Sequence, residues 1–105
     1  MLVNCAAYQN GRKLADIETS QIESYLARPD CFVWVALADA TPDEVTEMGR
    51  RFHLHELALE DAMCGHQRPK IEEYGDSLFA VIQMVEPGSD GFLSVGEVDV
   101  FVGRN

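Results

Sequence analysis

Apolar and polar positions alternate in a few clear blocks along this chain. Leu2 to Tyr8 is mostly apolar and predicts a short strand. Asn10-Gly11 supplies a turn, and Arg12 to Asp16 predicts a second, edge segment. Ser20 with Glu23 three residues on reads as a capping box. Ile22, Tyr25 and Leu26 follow at helical spacing, and Pro29 ends the helix near Arg28. Cys31 to Leu37 is a continuous apolar run and predicts a strand covered on both faces. Thr41-Pro42-Asp43-Glu44 combines an N-cap, a proline at the first helical position and early acids, so a helix starts there. Val45, Met48 and Phe52 give it one apolar stripe, and a shorter helix is expected from Glu56 to Met63 with Gly65 as its stop.

After Pro69 the pattern changes. Lys70 to Tyr74, Leu78 to Val85 and Leu93 to Val102 carry β-branched and aromatic residues, with turns at Tyr74-Gly75-Asp76 and Pro87-Gly88-Ser89-Asp90-Gly91. Val98, Val100 and Val102 alternate with Asp99, Phe101 and Gly103, as in a half-buried strand. The order of elements predicts an α/β fold, one sheet with helices packed on it. A length of 105 residues suits a single domain spanning 1–105.

Charge narrows the range of partners. Eighteen acids against eight bases give a formal charge of -10. That balance argues against nucleic acid and anionic membrane surfaces, both of which need Lys and Arg. It suits cations or basic partners. The longest apolar run, Phe32 to Ala38, falls far short of the ~18 residues of a membrane span, so the chain as given reads as soluble. Three cysteines without C-x-x-C spacing point to a reducing compartment.

Three constellations bear on chemistry. His53-x-His55 and Cys64-x-His66 resemble zinc ligands only loosely, since one intervening residue on a helix points two side chains about 200° apart. Hydrogen-bonding roles fit these residues better. Glu56 and Glu60 share a helix face, and Glu60 with Asp61 presents carboxylate oxygen of the kind that hard cations prefer. Against that stands a plainer role for Asp61, an ion pair with Arg68 or Lys70 from the basic island Gln67-Arg68-Pro69-Lys70.

Several stretches taken together resemble a known family. They are Trp34-Val35-Ala36-Leu37, the capped helix from Thr41, Phe52-His53-Leu54-His55-Glu56-Leu57-Ala58-Leu59-Glu60-Asp61-Ala62, His66-Gln67-Arg68-Pro69-Lys70-Ile71-Glu72-Glu73-Tyr74-Gly75-Asp76, and Gly96 to Asn105. Their order and spacing is similar to the N-terminal cytoplasmic domain of the CorA family of magnesium and cobalt transporters, which has zinc-transporting relatives. The likeness runs from Phe32 to Asn105, with the first thirty residues fitting in outline. It implies an α/β/α sandwich built on one mixed sheet. It also implies a homopentamer at the cytoplasmic face of the inner (plasma) membrane, whose stalk helix and transmembrane part, with their Gly-Met-Asn signature, do not occur in these 105 residues. Glu56 stands where relatives often have proline. In the family the Glu-Asp pair lies between neighbouring domains and helps bind regulatory divalent cations. By position that implies Glu60 and Asp61 as ligands of Mg2+, with Co2+ or Zn2+ as alternatives, weakly in the isolated domain. The resulting expectation is a non-enzymatic regulatory domain of a divalent cation transporter that senses intracellular cation and favours the closed pore. The alternatives are a zinc-transporting relative, a stand-alone acidic interaction module, or a metal-dependent hydrolase using Glu60, Asp61 and a histidine.

Overall fold

A computed structural model describes residues 1–105. The chain divides into two compact units, Met1–His53 with Arg104–Asn105, and Leu54–Gly103.

In the first unit β1 (Leu2–Gln9) pairs antiparallel with β2 (Arg12–Asp16) on one side and β3 (Cys31–Leu37) on the other. The β1–β2 turn is made by Asn10 and Gly11, both at positive φ (51° and 78°). Two left-handed residues match the right-handed twist of a tight hairpin, and Asn and Gly tolerate that conformation best. A single 3-10 turn (Thr19–Gln21) leads into α1 (Ile22–Leu26). The cap differs from the expected Ser20–Glu23 box. Ser20 lies inside the 3-10 turn, and Glu18 takes the N-cap position, its backbone N–H donating to Gln21 Oε1 at 2.9 Å. Tightening the first turn to three residues moves the cap upstream.

The next helix, α2 (Pro42–Phe52), starts as its sequence dictates. Glu44 N–H donates to Thr41 Oγ1 (3.2 Å), and Thr41 N–H donates to Glu44 Oε2 (2.8 Å). Its Met48 and Phe52 pack on a core of Cys5, Ala7, Ile17, Ile22 and Val33, joined by Tyr25 and Leu26 from α1. Removing the cap oxygen with Thr41→Ala is expected to lower stability by about 1 kcal/mol in urea denaturation, whereas Thr41→Ser should be nearly neutral. Strand β3 is covered on one face only. Cys31 and Val33 are buried, while Phe32 and Trp34 are 41% and 52% exposed, Phe32 stacked on Tyr8 at 4.8 Å. An unbroken apolar run does not by itself say that both faces are covered.

The second unit begins with α3 (Glu56–Cys64) and continues as a meander of β4 (Lys70–Tyr74), β5 (Ser77–Pro87) and β6 (Leu93–Val102) in the order β4-β5-β6. Lys70, Glu72 and Tyr74 on β4 are register partners of Val81, Phe79 and Ser77, and on β6 Glu97, Asp99 and Phe101 oppose Gln83, Val81 and Phe79. Side chains alternate across a strand, so these residues occupy one face of the sheet. Its core is Ala58 of α3 with Phe79 and Val81, flanked by Ala62, Tyr74 and Phe101.

The α/β class holds, since helices and sheets alternate as expected. In one respect the sheet structure differs. The strands form two three-stranded sheets with every pair antiparallel, where one mixed sheet was expected. The short turns after β1, β4 and β5 account for three of the four antiparallel pairs, because tight turns join antiparallel strands while parallel pairs need a long crossover; β1 and β3 pair antiparallel across the longer 10–30 connection.

Candidate functional site

The expected pair, Glu60 and Asp61, sits on α3. His55 caps that helix, its Nδ1 accepting from Leu57 N–H at 3.2 Å while the ring stacks on Tyr74 at 4.3 Å. That gives His55 a hydrogen-bonding role. His53 ends α2 in the left-handed conformation (φ 53°), where it serves as C-cap. The buried residue of α3 is Ala58, and Leu57 is 55% exposed.

The helical step separates the two acids. Glu60 is exposed, whereas Asp61 is half-buried and faces β4. Asp61 Oδ2 lies 2.6 Å from Lys70 Nζ, and the same ammonium lies 2.5 Å from Glu72 Oε1. Glu72 Oε2 in turn accepts from the Tyr74 hydroxyl. Arg68, the other candidate partner, is exposed and bonds to no acid. Electrostatics follow the geometry. The bonds from Asp61 and Glu72 hold the Lys70 ammonium above its ordinary range. Lys70, then Tyr74, hold the Glu72 carboxyl below its own, and the bond to Glu72 raises the Tyr74 phenol.

Sequence reasoning did not single out Glu97 and Asp99 on the same sheet face. Glu97 Oε2 accepts from Gln67 N–H at 3.0 Å, while Gln83 Nε2 donates to Gln67 O at 3.4 Å, so Gln67 is held from two sides. Burial pushes the Asp99 carboxyl up to about 6, with the bond and charge of Glu97 and the charge of Asp61 adding to it and Lys70 partly offsetting it. The signal was present in the Glu97-x-Asp99 alternation. An alternating pattern does not say which face turns inward.

Carboxylate oxygens suit a hard cation rather than a soft one. Within this chain, though, no group of three or more His, Cys, Asp or Glu side chains is placed to hold a metal ion. Asp61 is engaged by Lys70, leaving Glu60 as the unpaired acid of the two.

A family model described as "CorA-like Mg2+ transporter protein" matches residues 29–105. The chain belongs to the CorA family. Among CorA relatives, the cobalt/magnesium transport protein CorA of Thermotoga maritima is 33% identical over 72 residues, which is 66% of this chain and 20% of the relative. Bacillus subtilis YfjQ, whose name assigns it to metal ion transport, is 34% identical over 78 residues, 73% of this chain and 24% of its own length. This CorA-family chain thus spans between a fifth and a quarter of the length of those relatives. The matched region begins just before β3 and takes in α2, α3, the basic island and all of the second sheet. No helix in it is long and apolar enough to cross a membrane.

Proposed function

We propose that this CorA-family domain is the cation-sensing part of a divalent metal transporter, reading magnesium on the cytoplasmic side and favouring the closed pore when it binds. The observation that carries this reading is the disposition of α3. Glu60 is exposed with no partner in its own chain, and Asp61 beside it is held by a single lysine. The donor set matches Mg2+, which keeps several waters and needs only one or two carboxylates. Co2+ and Zn2+ are the other cations of interest. A site of two acids requires further oxygens, and an adjacent subunit of a homopentamer would supply them.

Two like charges 4 Å apart repel by about 1 kcal/mol in water and about 4 kcal/mol at an effective dielectric near 20. A divalent ion between facing acids reverses that sign. At a free concentration equal to its dissociation constant, one site stabilises the bound state by about 0.4 kcal/mol, and five sites by about 2 kcal/mol. That is a shift of roughly thirtyfold in a closed-to-open ratio, provided the open state does not bind the ion.

The test is made in the complete transporter polypeptide, in its membrane and with its stalk and pore. Currents are recorded while internal Mg2+ rises through the millimolar range. The double substitution Glu60→Gln with Asp61→Asn is expected to move the inhibitory concentration upward by about tenfold. Unaltered inhibition would sink the assignment.

A further inference from the structure

On β6, Glu97 and Asp99 stand two positions apart, on the sheet face that carries the core residues Phe79 and Val81. One oxygen of each, Glu97 Oε1 and Asp99 Oδ1, is shut off from solvent and has no hydrogen-bond partner. A buried carboxylate oxygen without a donor is unfavourable, and native structures rarely leave one so. Two of them on neighbouring side chains are both satisfied by one proton placed between them.

The surroundings favour that proton. From α3 comes the charge of Asp61, which acts on Asp99 at a distance. From β4 comes Lys70, already held by Asp61 and Glu72, with Tyr74 bonded to Glu72 beyond it. Strand β5 offers only Val81, Phe79 and the neutral Gln83. The 65–69 segment offers the Gln67 N–H, which Glu97 Oε2 already accepts. His66 and Arg68 of that segment are exposed, and neither bonds to Glu97 or Asp99, so no cation pairs with these two acids.

We propose that Glu97 and Asp99 share a single proton, and that this shared proton latches the segment around Gln67 to β6. In the protonated state the Asp99 O–H donates to Glu97, whose second oxygen keeps the Gln67 N–H. When the proton leaves, two full charges face one another and Glu97 is pushed off Gln67. Two residues after Gln67, Pro69 leads into Lys70, the residue that holds Asp61. The latch is therefore linked through the chain to the acids of α3. It does not rest on the cation-sensing reading, and its test contains no metal.

The direction of the pH effect follows from the raised carboxyl. Asp99 holds its proton more tightly when folded, near 6 against an ordinary 3.8. Its contribution is therefore complete below the ordinary value and lost as pH rises through about 6. Glu72, depressed by Lys70, works the opposite way and loses its contribution as pH falls.

The experiment is done on the 105-residue chain. The Asp99 side-chain carboxyl is titrated by carbon-13 NMR, and exchange protection of the Gln67 amide is compared between about pH 5 and about pH 7.5. The expected results are a midpoint more than one pH unit above that of an ordinary aspartate and a fall in protection of about three- to tenfold, the lower part of the range allowing for solvent screening. Asp99→Asn keeps a donor without the charge and should flatten the pH dependence. Glu97→Gln should lower the Asp99 midpoint in part, removing the contribution of Glu97 and leaving that of burial. An Asp99 midpoint at the ordinary value, or Gln67 protection that ignores pH in the unsubstituted chain, overturns the proposal. So does an Asp99→Asn chain that retains the full pH dependence.

Discussion

Phe79→Ala is expected to cost about 3–5 kcal/mol and to abolish the folded second unit at room temperature or close to it. Phe79 is 1% exposed and is one of the two largest fully buried side chains. Its ring stacks on Phe101 at 4.8 Å and lies against Ala58 and Val81, with the Lys70 ammonium 5.8 Å from its centroid. The fully buried set around it is small, Ala58 and Val81 being its other members, and the bulky neighbours Tyr74 and Phe101 are fixed in paired strands, so the void closes only in part. Cavities that cannot collapse are the most destabilising. Phe92 is the control. It is 75% exposed in the β5–β6 loop, and Phe92→Ala should change stability by no more than about 0.5 kcal/mol. Urea unfolding followed by circular dichroism checks both. A loss under about 1 kcal/mol for Phe79→Ala would mean that α3 and the second sheet do not share this core.

Lys70→Met comes second, and its effect should depend on divalent cation. The ammonium is the one group that joins Asp61 on α3 to Glu72 on β4. Methionine keeps most of the aliphatic stem over Phe79 and removes the charge, which leaves two carboxylates without their common partner. The partners are partly exposed, which moderates the penalty, and a fall in melting temperature of about 3–6 °C is expected. The dependence on pH should change as well. In the unsubstituted chain Glu72 is held down by Lys70, so that part of the stability is present above the ordinary glutamate range and lost as pH falls through it. Lys70 itself is raised, and its part persists until alkaline pH exceeds its folded value. Lys70→Met should therefore flatten the acid limb of the stability profile. If Asp61 takes a divalent ion as proposed, that ion and Lys70 are alternative partners for it. On the cation-sensing reading, millimolar Mg2+ should restore part of the melting temperature in Lys70→Met and do little in the unsubstituted chain. Differential scanning calorimetry with and without Mg2+ separates these cases. An unchanged melting temperature in the absence of metal would show that the Asp61–Lys70–Glu72 chain contributes nothing.

How far the sequence could be read differs from one element to another. Local chemistry was legible wherever the partners are close in the chain. Thr41 and Glu44 cap α2, Asn10-Gly11 turns β1 into β2, and Gly65 follows the last residue of α3, each as expected. The apolar stripe of α2 also reached the core, with Met48 and Phe52 packed there. The cap of α1 was misread because a 3-10 turn precedes it, and such a turn leaves no distinctive mark in the residue pattern. Family membership was legible too, since it rests on the order and spacing of short motifs between β3 and β6.

The amino-acid order alone determined where most of the helices and strands lie, the net charge, the family and the adjacency of Glu60 and Asp61. Only the tertiary structure decided that Lys70 rather than Arg68 holds Asp61, that Phe101 and Asp99 share the face bearing the core, and that the strands make two antiparallel sheets. The physical reason is the same in each case. Propensities, caps and turns act over a few residues, and their partners are visible in the sequence. Which side of a strand turns inward, and which of two bases seven and nine positions away meets an acid, depends on packing and desolvation, and these exist only once the segments have come together.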